Sequence, residues 1–400
     1  MYPTNDLYLG HIKLNRTTVK NDLRSDKADQ SASDRYYGLD ALRAVAMALG
    51  IVLHASLPYF NTYEIWPSDD GESLAIWVVF EFIHIWRMPL FFILGGFFGA
   101  LVVQRRSWKS YRNQRWRRIG LPLIVFLPLI ALVMPYIWLY GLQGSIKGGV
   151  EIESYFNPWH LWFLFHLLIF VILMAMWNLS GQLFSKLIPS NTVRIVWQSS
   201  ARALSRVIYF PVPFAISVIL MMVLIPSGAE LIGNPLASFT YFLFGYGLFH
   251  SESLMRSIKN YWVAYIVSGS VGFMVYLWTA PQVTDIYNSG GENDGLGLLY
   301  IGLKMICAVT FSLGLIGFSE QHLTTYSSRW RWLADSSYWV YLSHLPIVTF
   351  VTFLMFNISA PHEVKFLVAI FTTSLITLVT YRFFVRRTFV SVLLNGRSYE

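Results

Sequence analysis

The chain runs through one apolar stretch after another, each long enough to cross a bilayer. A helix rises about 1.5 Å per residue, so a hydrocarbon core takes about 20 apolar residues. Ten stretches meet that demand: 37–58, 75–103, 119–140, 159–178, 208–226, 236–251, 261–280, 296–318, 335–356 and 364–384. The sixth is short and Gly-rich. The series predicts an all-α integral membrane protein of about ten transmembrane helices, because lipid leaves each backbone polar group to be bonded within its own segment. Only 13% of the 400 residues are charged, against about a quarter in soluble proteins. Residues 1–35 are polar and carry six Lys/Arg; they read as a flexible cytoplasmic tail, not a secretory signal. Residues 36–385 form the transmembrane domain, and 386–400 a cytoplasmic C-terminal tail.

The loops orient the bundle. Alternate connections, together with both tails, hold twenty-five Lys/Arg; the opposite set holds one, Lys147. Basic loops stay in the cytoplasm, so both termini are expected there, in a multi-pass protein of the cell (inner) membrane. The net charge of +8 is explained by these loops. No soluble domain remains to bind nucleic acid. Cys307 is the single cysteine and reads as a buried structural thiol.

Ionisable groups within the spans carry the functional signal, since such groups face a protein interior or a wet cavity. In "RYYGLDALRAVAMALGIVLHASLPYF" Arg43 and His54 are eleven residues apart. Eleven steps of about 100° overshoot three turns by about 20°, so the two side chains share a stripe roughly 16 Å long. Met47 and Gly50 lie on it, and Gly50 leaves room for a helix or a ligand. Asp40 can neutralise Arg43 locally; snorkelling of Arg43 and a structural hydrogen bond from His54 are the alternatives. On this topology Arg43 sits near the cytoplasm and His54 near the exterior. Imidazole suits proton transfer near neutral pH.

The second span contains Glu81, His84 and Arg87, three apart on one broad face. A carboxylate beside an imidazole can orient it; an internal ion pair between helices explains the same residues. Gly95, Gly96 and Gly99 predict close helix packing. The loop "QRRSWKSYRNQRWRRIGLP" holds seven Lys/Arg. It reads as ordinary cytoplasmic charge or as a phosphate site, with arginine forks and with Trp108, Tyr111 and Trp116 as stacking surfaces. His160 opens the fourth span; the deeper His166 reads as structural. Tyr341, His344 and Pro346 open the ninth, where Pro346 predicts a kink near His344. No histidine pair has the spacing of a metal site.

Together these motifs resemble the acyltransferase type 3 family of multi-span membrane enzymes. "LDALRAVAMALGIVLHA" is similar to its first-helix pattern of an Arg and a His separated by ten residues. "FIHIWRMPLFFILGGFF" resembles its second-helix motif, and "RNQRWRRIGLP" its Arg-x-x-Arg, as Arg112/Arg115 or, fitting better, Arg115/Arg118. "SSYWVYLSHLPI" resembles its late tyrosine–histidine–proline motif. "FIHIWRMP" and "WHLWFL" are closest to the glucan succinyltransferase branch. Gly95 departs from the serine frequent in the family, and the fourth span lacks the acid of many O-antigen acetylases.

The resemblance implies an O-acyltransferase that moves an acetyl or succinyl group from cytoplasmic acyl-CoA to hydroxyls of a periplasmic or cell-surface glycan. Acyl-CoA is then a cosubstrate, and no permanently bound cofactor or metal is implied. His54 is the implied general base or acyl carrier; direct transfer and an acyl-histidine intermediate both remain open. Arg43 holds a CoA phosphate or stabilises charge. Glu81 and His84 orient His54, and Arg112, Arg115 and Arg118 bind the CoA phosphates. Arg87, His160, Tyr341 and His344 are candidates for substrate contact. The alternatives are a glycan or lipid-linked transporter without acyl chemistry, which would use the same in-membrane charges, and a structural assembly factor. Transporters commonly show paired halves, and no internal repeat is found.

Overall fold

The structure is a computed structural model. It describes residues 36–60, 66–147, 158–187, 234–288 and 295–396, with isolated helical positions between 195 and 220. The described residues are helical, with no strand. The long helices are α1 (Tyr37–Ser56), α2 (Leu74–Arg105), α4 (Leu121–Gln143), α5 (Trp162–Leu187), α8 (Trp262–Asn288), α9 (Gly295–His322), α10 (Ser328–Leu354) and α11 (His362–Thr380). Shorter helices are α3 (Trp108–Arg115), α6 (Pro235–Phe249), α7 (Glu252–Asn260) and α12 (Phe389–Asn395). π-helical turns at Trp116–Gly120 and Tyr381–Val385 join α3 to α4 and extend α11.

Eight helical segments among the described residues are long and apolar enough to cross a membrane, so this is an all-α, multi-pass membrane protein. The expected span 119–140 is the core of a longer segment, Trp108–Gln143. The expected span 236–251 appears as the 15-residue α6, shorter than a bilayer crossing requires. The expected span 208–226 lies outside the described residues but for a few positions.

α1 is the hub. It packs against α10, α2, α9 and α11, and 61% of its most apolar window is buried, against 22% for α8. That contrast explains why α1 can carry polar groups. Its sides face protein, while α4, α8 and α11 present Leu132, Met274, Trp278 and Phe371 outward, each more than 60% exposed. In a bilayer those side chains meet lipid.

Lipid provides no hydrophobic drive between helices, so small residues set the contacts. α2 and α6 touch backbone to backbone: a Cβ on Gly96 would strike the Phe242 carbonyl, and one on Gly245 the Ile93 carbonyl. The close packing expected of the second span's glycines is therefore found at Gly96. Gly95 is roomier, with the Leu167 side chain at 3.4 Å from a built Cβ. Buried Cys307 lies against the Gly269 carbonyl at 3.6 Å between α8 and α9.

Gly245→Val is expected to force α2 and α6 apart and cost about 1–3 kcal/mol or more. Gly95→Ala is expected to be nearly neutral. Thermal melting of the detergent-solubilised chain checks the pair.

Candidate active site

Two cavities abut along one face of α1. The larger, about 480 Å³, is lined by Asp40, Arg43, Met47, Arg115, Arg118 and Arg331 among others. The smaller, about 150 Å³, is lined by Met47, Gly50, His54, His84, Arg87, His160, Tyr341 and His344. Met47, Phe91 and Phe163 line both and form the neck between them. The stripe of Arg43, Met47, Gly50 and His54 therefore runs from one chamber into the other, because α1 stays regular over all these positions.

The large cavity opens on the side that carries the basic loops. Arg43 pairs with Asp40 at 3.1 Å and lies over the Phe98 ring at 5.5 Å. Arg115 lies over Tyr111 at 5.2 Å. The π-helical turn, a local widening often found at functional sites, follows Arg115 at once. Arg115 and Arg118 line the cavity, while Arg112, Trp116 and Arg117 are exposed. The Arg115/Arg118 register is thus the one that faces inward. Arg112, the other candidate, lies on the outer surface.

Three contributors escaped sequence reading. Arg331 on α10 pairs with Asp335 at 3.2 Å and reaches Asp40 at 4.0 Å. Tyr338 donates its hydroxyl to the Arg118 carbonyl. The segment expected to be a plain tail contains α12, whose end lines the cavity through Leu394, Asn395 and Gly396. Arg118 donates to the Asn395 carbonyl at 2.7 Å, a cation at a helix C-terminus. The i,i+4 spacing of Arg331 and Asp335 was the available signal; nothing in 386–400 reports the docking.

The inner chamber gathers imidazoles from four helical segments. His344 lies 5.3 Å from His54 and 5.0 Å from His160, between ring centroids. His344 Nδ1 faces two carbonyls, Tyr341 at 2.8 Å and Val340 at 3.1 Å. Carbonyls only accept, so Nδ1 carries the proton, and the neutral ring presents a lone pair on Nε2. That Nε2 is buried with no protein partner. Tyr341 donates to the His160 carbonyl at 2.8 Å, and both ring nitrogens of His160 are buried without a hydrogen-bond partner among the described residues. Pro346 lies within α10 and has no N–H for the Leu342 carbonyl four residues back.

The second-span candidates separate. Arg87 and His84 line the chamber. Glu81 does not: it accepts the Tyr276 hydroxyl at 2.6 Å, and Tyr276 meets Tyr300 at 2.9 Å. The orienting role expected of Glu81 toward His54 is thereby replaced by a link from α2 to α8 and α9. The spacing of Glu81 and His84 was correct for one broad face; that face is split between two environments. His166 packs among Trp162, Phe92 and Phe170, away from the chamber. Among the described residues no cluster of His, Cys, Asp or Glu is arranged to hold a metal ion.

Aromatic rings cap the far end. Trp66 lies over His54, 6.2 Å between centroids and 21° from parallel, and meets Trp138 edge-on at 4.6 Å. Trp138 in turn contacts Trp159 at 4.8 Å. The segment following Trp66 is fastened to α11. Lys365 and Asp69 form an ion pair at 2.7 Å, their side chains only 6% and 3% exposed. Ser73 donates to Glu363 at 2.6 Å, and His362 contacts the Asp70 carbonyl at 2.8 Å.

Removing one partner of a buried pair strands the other charge at a cost of about 3–5 kcal/mol. Asp69→Asn is therefore expected to lower the melting temperature, and Asp69→Leu combined with Lys365→Met to recover most of the loss. Ser68, exposed on the same segment, is the control; Ser68→Ala is expected to leave melting unchanged.

A family model described as an acyltransferase domain matches residues 36–383. Relatives named "Glucans biosynthesis protein C" are 26% identical. The one from Escherichia coli K12 aligns over 346 residues, 80% of this chain and 83% of its own. The one from Salmonella agona aligns over 383 residues, 91% of this chain and 95% of its own. No solved structure matches. The family model covers α1 with its Arg43–His54 stripe and the lining of both chambers apart from Leu394, Asn395 and Gly396, and the chain belongs to the acyltransferase type 3 family of membrane acyltransferases.

Proposed function

We propose that the chain transfers an acyl group from acyl-CoA, entering at the basic mouth, to a hydroxyl of a glycan that approaches from the opposite side of the membrane. The observation that carries this reading is the pair of abutting chambers, joined at Met47, Phe91 and Phe163. A wide mouth with four inward arginines suits a bulky polyanion; a narrow neck suits a thin arm; a chamber of imidazoles suits proton transfer at the end of that arm. The glycan acceptor is suggested by the relatives' name.

In this reading Arg115, Arg43 and Arg331 hold CoA phosphates, Arg115 through its fork. Arg118, committed to Asn395, adds charge and fixes the rim. The pantetheine arm follows the α1 stripe and presents the thioester beside His54. His54 takes the hydroxyl proton, and the lone pair of His344 Nε2 accepts from the same hydroxyl or relays the proton. Charge at the mouth and an imidazole about 16 Å deeper give one helix two tasks. Acetyl and succinyl are both compatible donors. In this reading, supported by the basic loops, the mouth and both termini lie on the cytoplasmic side of the inner membrane.

Acyl transfer by the purified chain in liposomes, from labelled acetyl-CoA or succinyl-CoA to a linear glucose hexamer, tests the reading. His54→Ala is expected to lower kcat by about 10²–10⁴-fold, the usual range for a general base; full activity would remove His54 from the mechanism. Arg115→Glu is expected to raise KM for the CoA thioester with little change in kcat. Met47→Trp, filling the neck, is expected to abolish transfer while CoA still binds at the mouth, as measured by calorimetry. A wild-type chain that transfers nothing but moves a glycan across the bilayer would establish transport instead.

A further inference from the structure

We propose that Arg87 is a catalytic residue of the transfer: its guanidinium receives the negative charge that develops on the acyl carbonyl oxygen. The assignment rests on the thioester donor proposed above and holds for acetyl and succinyl alike.

Arg87 is a half-buried cation on the chamber wall that forms no ion pair among the described residues. Its Nε has no hydrogen-bond partner, and its Nη2 faces only the Met88 thioether at 3.9 Å. Carboxylates of the helices and the segment around the chamber are engaged elsewhere: Glu81 with Tyr276, Asp40 with Arg43, Asp69 with Lys365. Holding a guanidinium in a membrane interior without a counter-charge is costly, and the cost is offset if an anion forms in the chamber during turnover. Donors fixed where charge develops stabilise the transition state, not the ground state.

The geometry of α1 locates that anion. A Cβ on Gly50 would lie 2.6 Å from Arg87 Nη1 and 3.3 Å from His344 Nε2. A donor from α2 and an imidazole from α10 therefore converge at Gly50, where the guanidinium takes the space a Cβ would fill. A reacting carbonyl in the chamber beside them would have its oxygen toward Arg87 and its carbon toward the imidazoles. The hydroxyl oxygen attacks that carbon as His54 removes its proton. The C–O bond forms and the carbonyl π pair moves onto oxygen beside Arg87. The pair then returns, the C–S bond breaks, and the thiolate takes the proton back as CoA thiol. An acyl-histidine route passes through the same oxyanion at each step, so the role of Arg87 does not depend on that choice.

The test compares wild type, Arg87→Gln, Arg87→Lys and Gly50→Ala in liposomes with acetyl-CoA and succinyl-CoA, the glucose hexamer as acceptor, and melting curves on each protein. Arg87→Gln is expected to lower kcat about 10²–10³-fold with both donors, the usual loss for an oxyanion donor, with KM for the thioester nearly unchanged. Arg87→Lys should recover part of the rate, keeping the charge without the fork. Gly50→Ala should lower kcat by displacing Nη1 while Arg87 itself is intact. Arg87→Gln at the wild-type rate overturns the proposal. So does a loss confined to succinyl-CoA and to KM, which would mark a site for the acyl carboxylate. So does a loss in all three variants that tracks the folded fraction, which would mark a structural cation. Transfer by wild type from neither thioester overturns the donor reading and this assignment together, whereas active wild type with unaffected Arg87→Gln overturns this assignment alone.

Discussion

The cost of placing charge in a membrane interior organises this bundle. Every ionisable side chain within the spans needs a partner, a wet cavity or a place at the rim. Lys365 meets Asp69, Glu81 meets Tyr276, and Arg43 meets Asp40. The first two contacts tie separate segments together, and the third lies within α1. Arg87 and the imidazoles of His54, His84, His160 and His344 collect around one small chamber. Polar groups left over from structural pairing are thereby concentrated where chemistry can use them.

α1 makes that concentration possible because it is enclosed. Its neighbours α10, α2, α9 and α11 shield it from lipid, so a helix with Asp40, Arg43 and His54 remains a membrane helix. The same enclosure makes glycine valuable at Gly50. A side chain there would occupy the space that Arg87 and His344 approach from two other helices. α2 has a second task on another face, where Gly96 admits the backbone of α6. One long helix thus supplies a chamber wall, a tyrosine-linked carboxylate and a tight packing seam.

The two ends of the path are built differently. The mouth is a ring of arginines balanced by Asp40 and Asp335 and closed by the docked α12. The far end is aromatic, with Trp66 over His54 and a buried ion pair behind it. A charged rim favours a polyanion and excludes lipid. Trp66, Trp138 and Trp159 cap the chamber with aromatic faces of the kind sugars stack on. The difference in chemistry between the ends is what the proposed transfer across the membrane would use.

Much of this was legible in the sequence, because helical geometry in lipid leaves few choices. Apolar length fixed most of the spans, and an eleven-residue spacing placed Arg43 and His54 on one stripe whatever packs against it. The family resemblance favours Arg115/Arg118 over Arg112/Arg115, and Arg115 and Arg118 line the cavity while Arg112 is exposed. Tertiary structure alone decided what the stripe faces. Glu81 and His84 are one turn apart, yet one meets Tyr276 and the other the chamber, since a helix's own geometry does not specify its neighbours. Arg331 and α12 came to the mouth through contacts distant in sequence, and so did the meeting of His54, His160 and His344. Local spacing is set by the period of one helix; a site shared by four helical segments is set by how they pack.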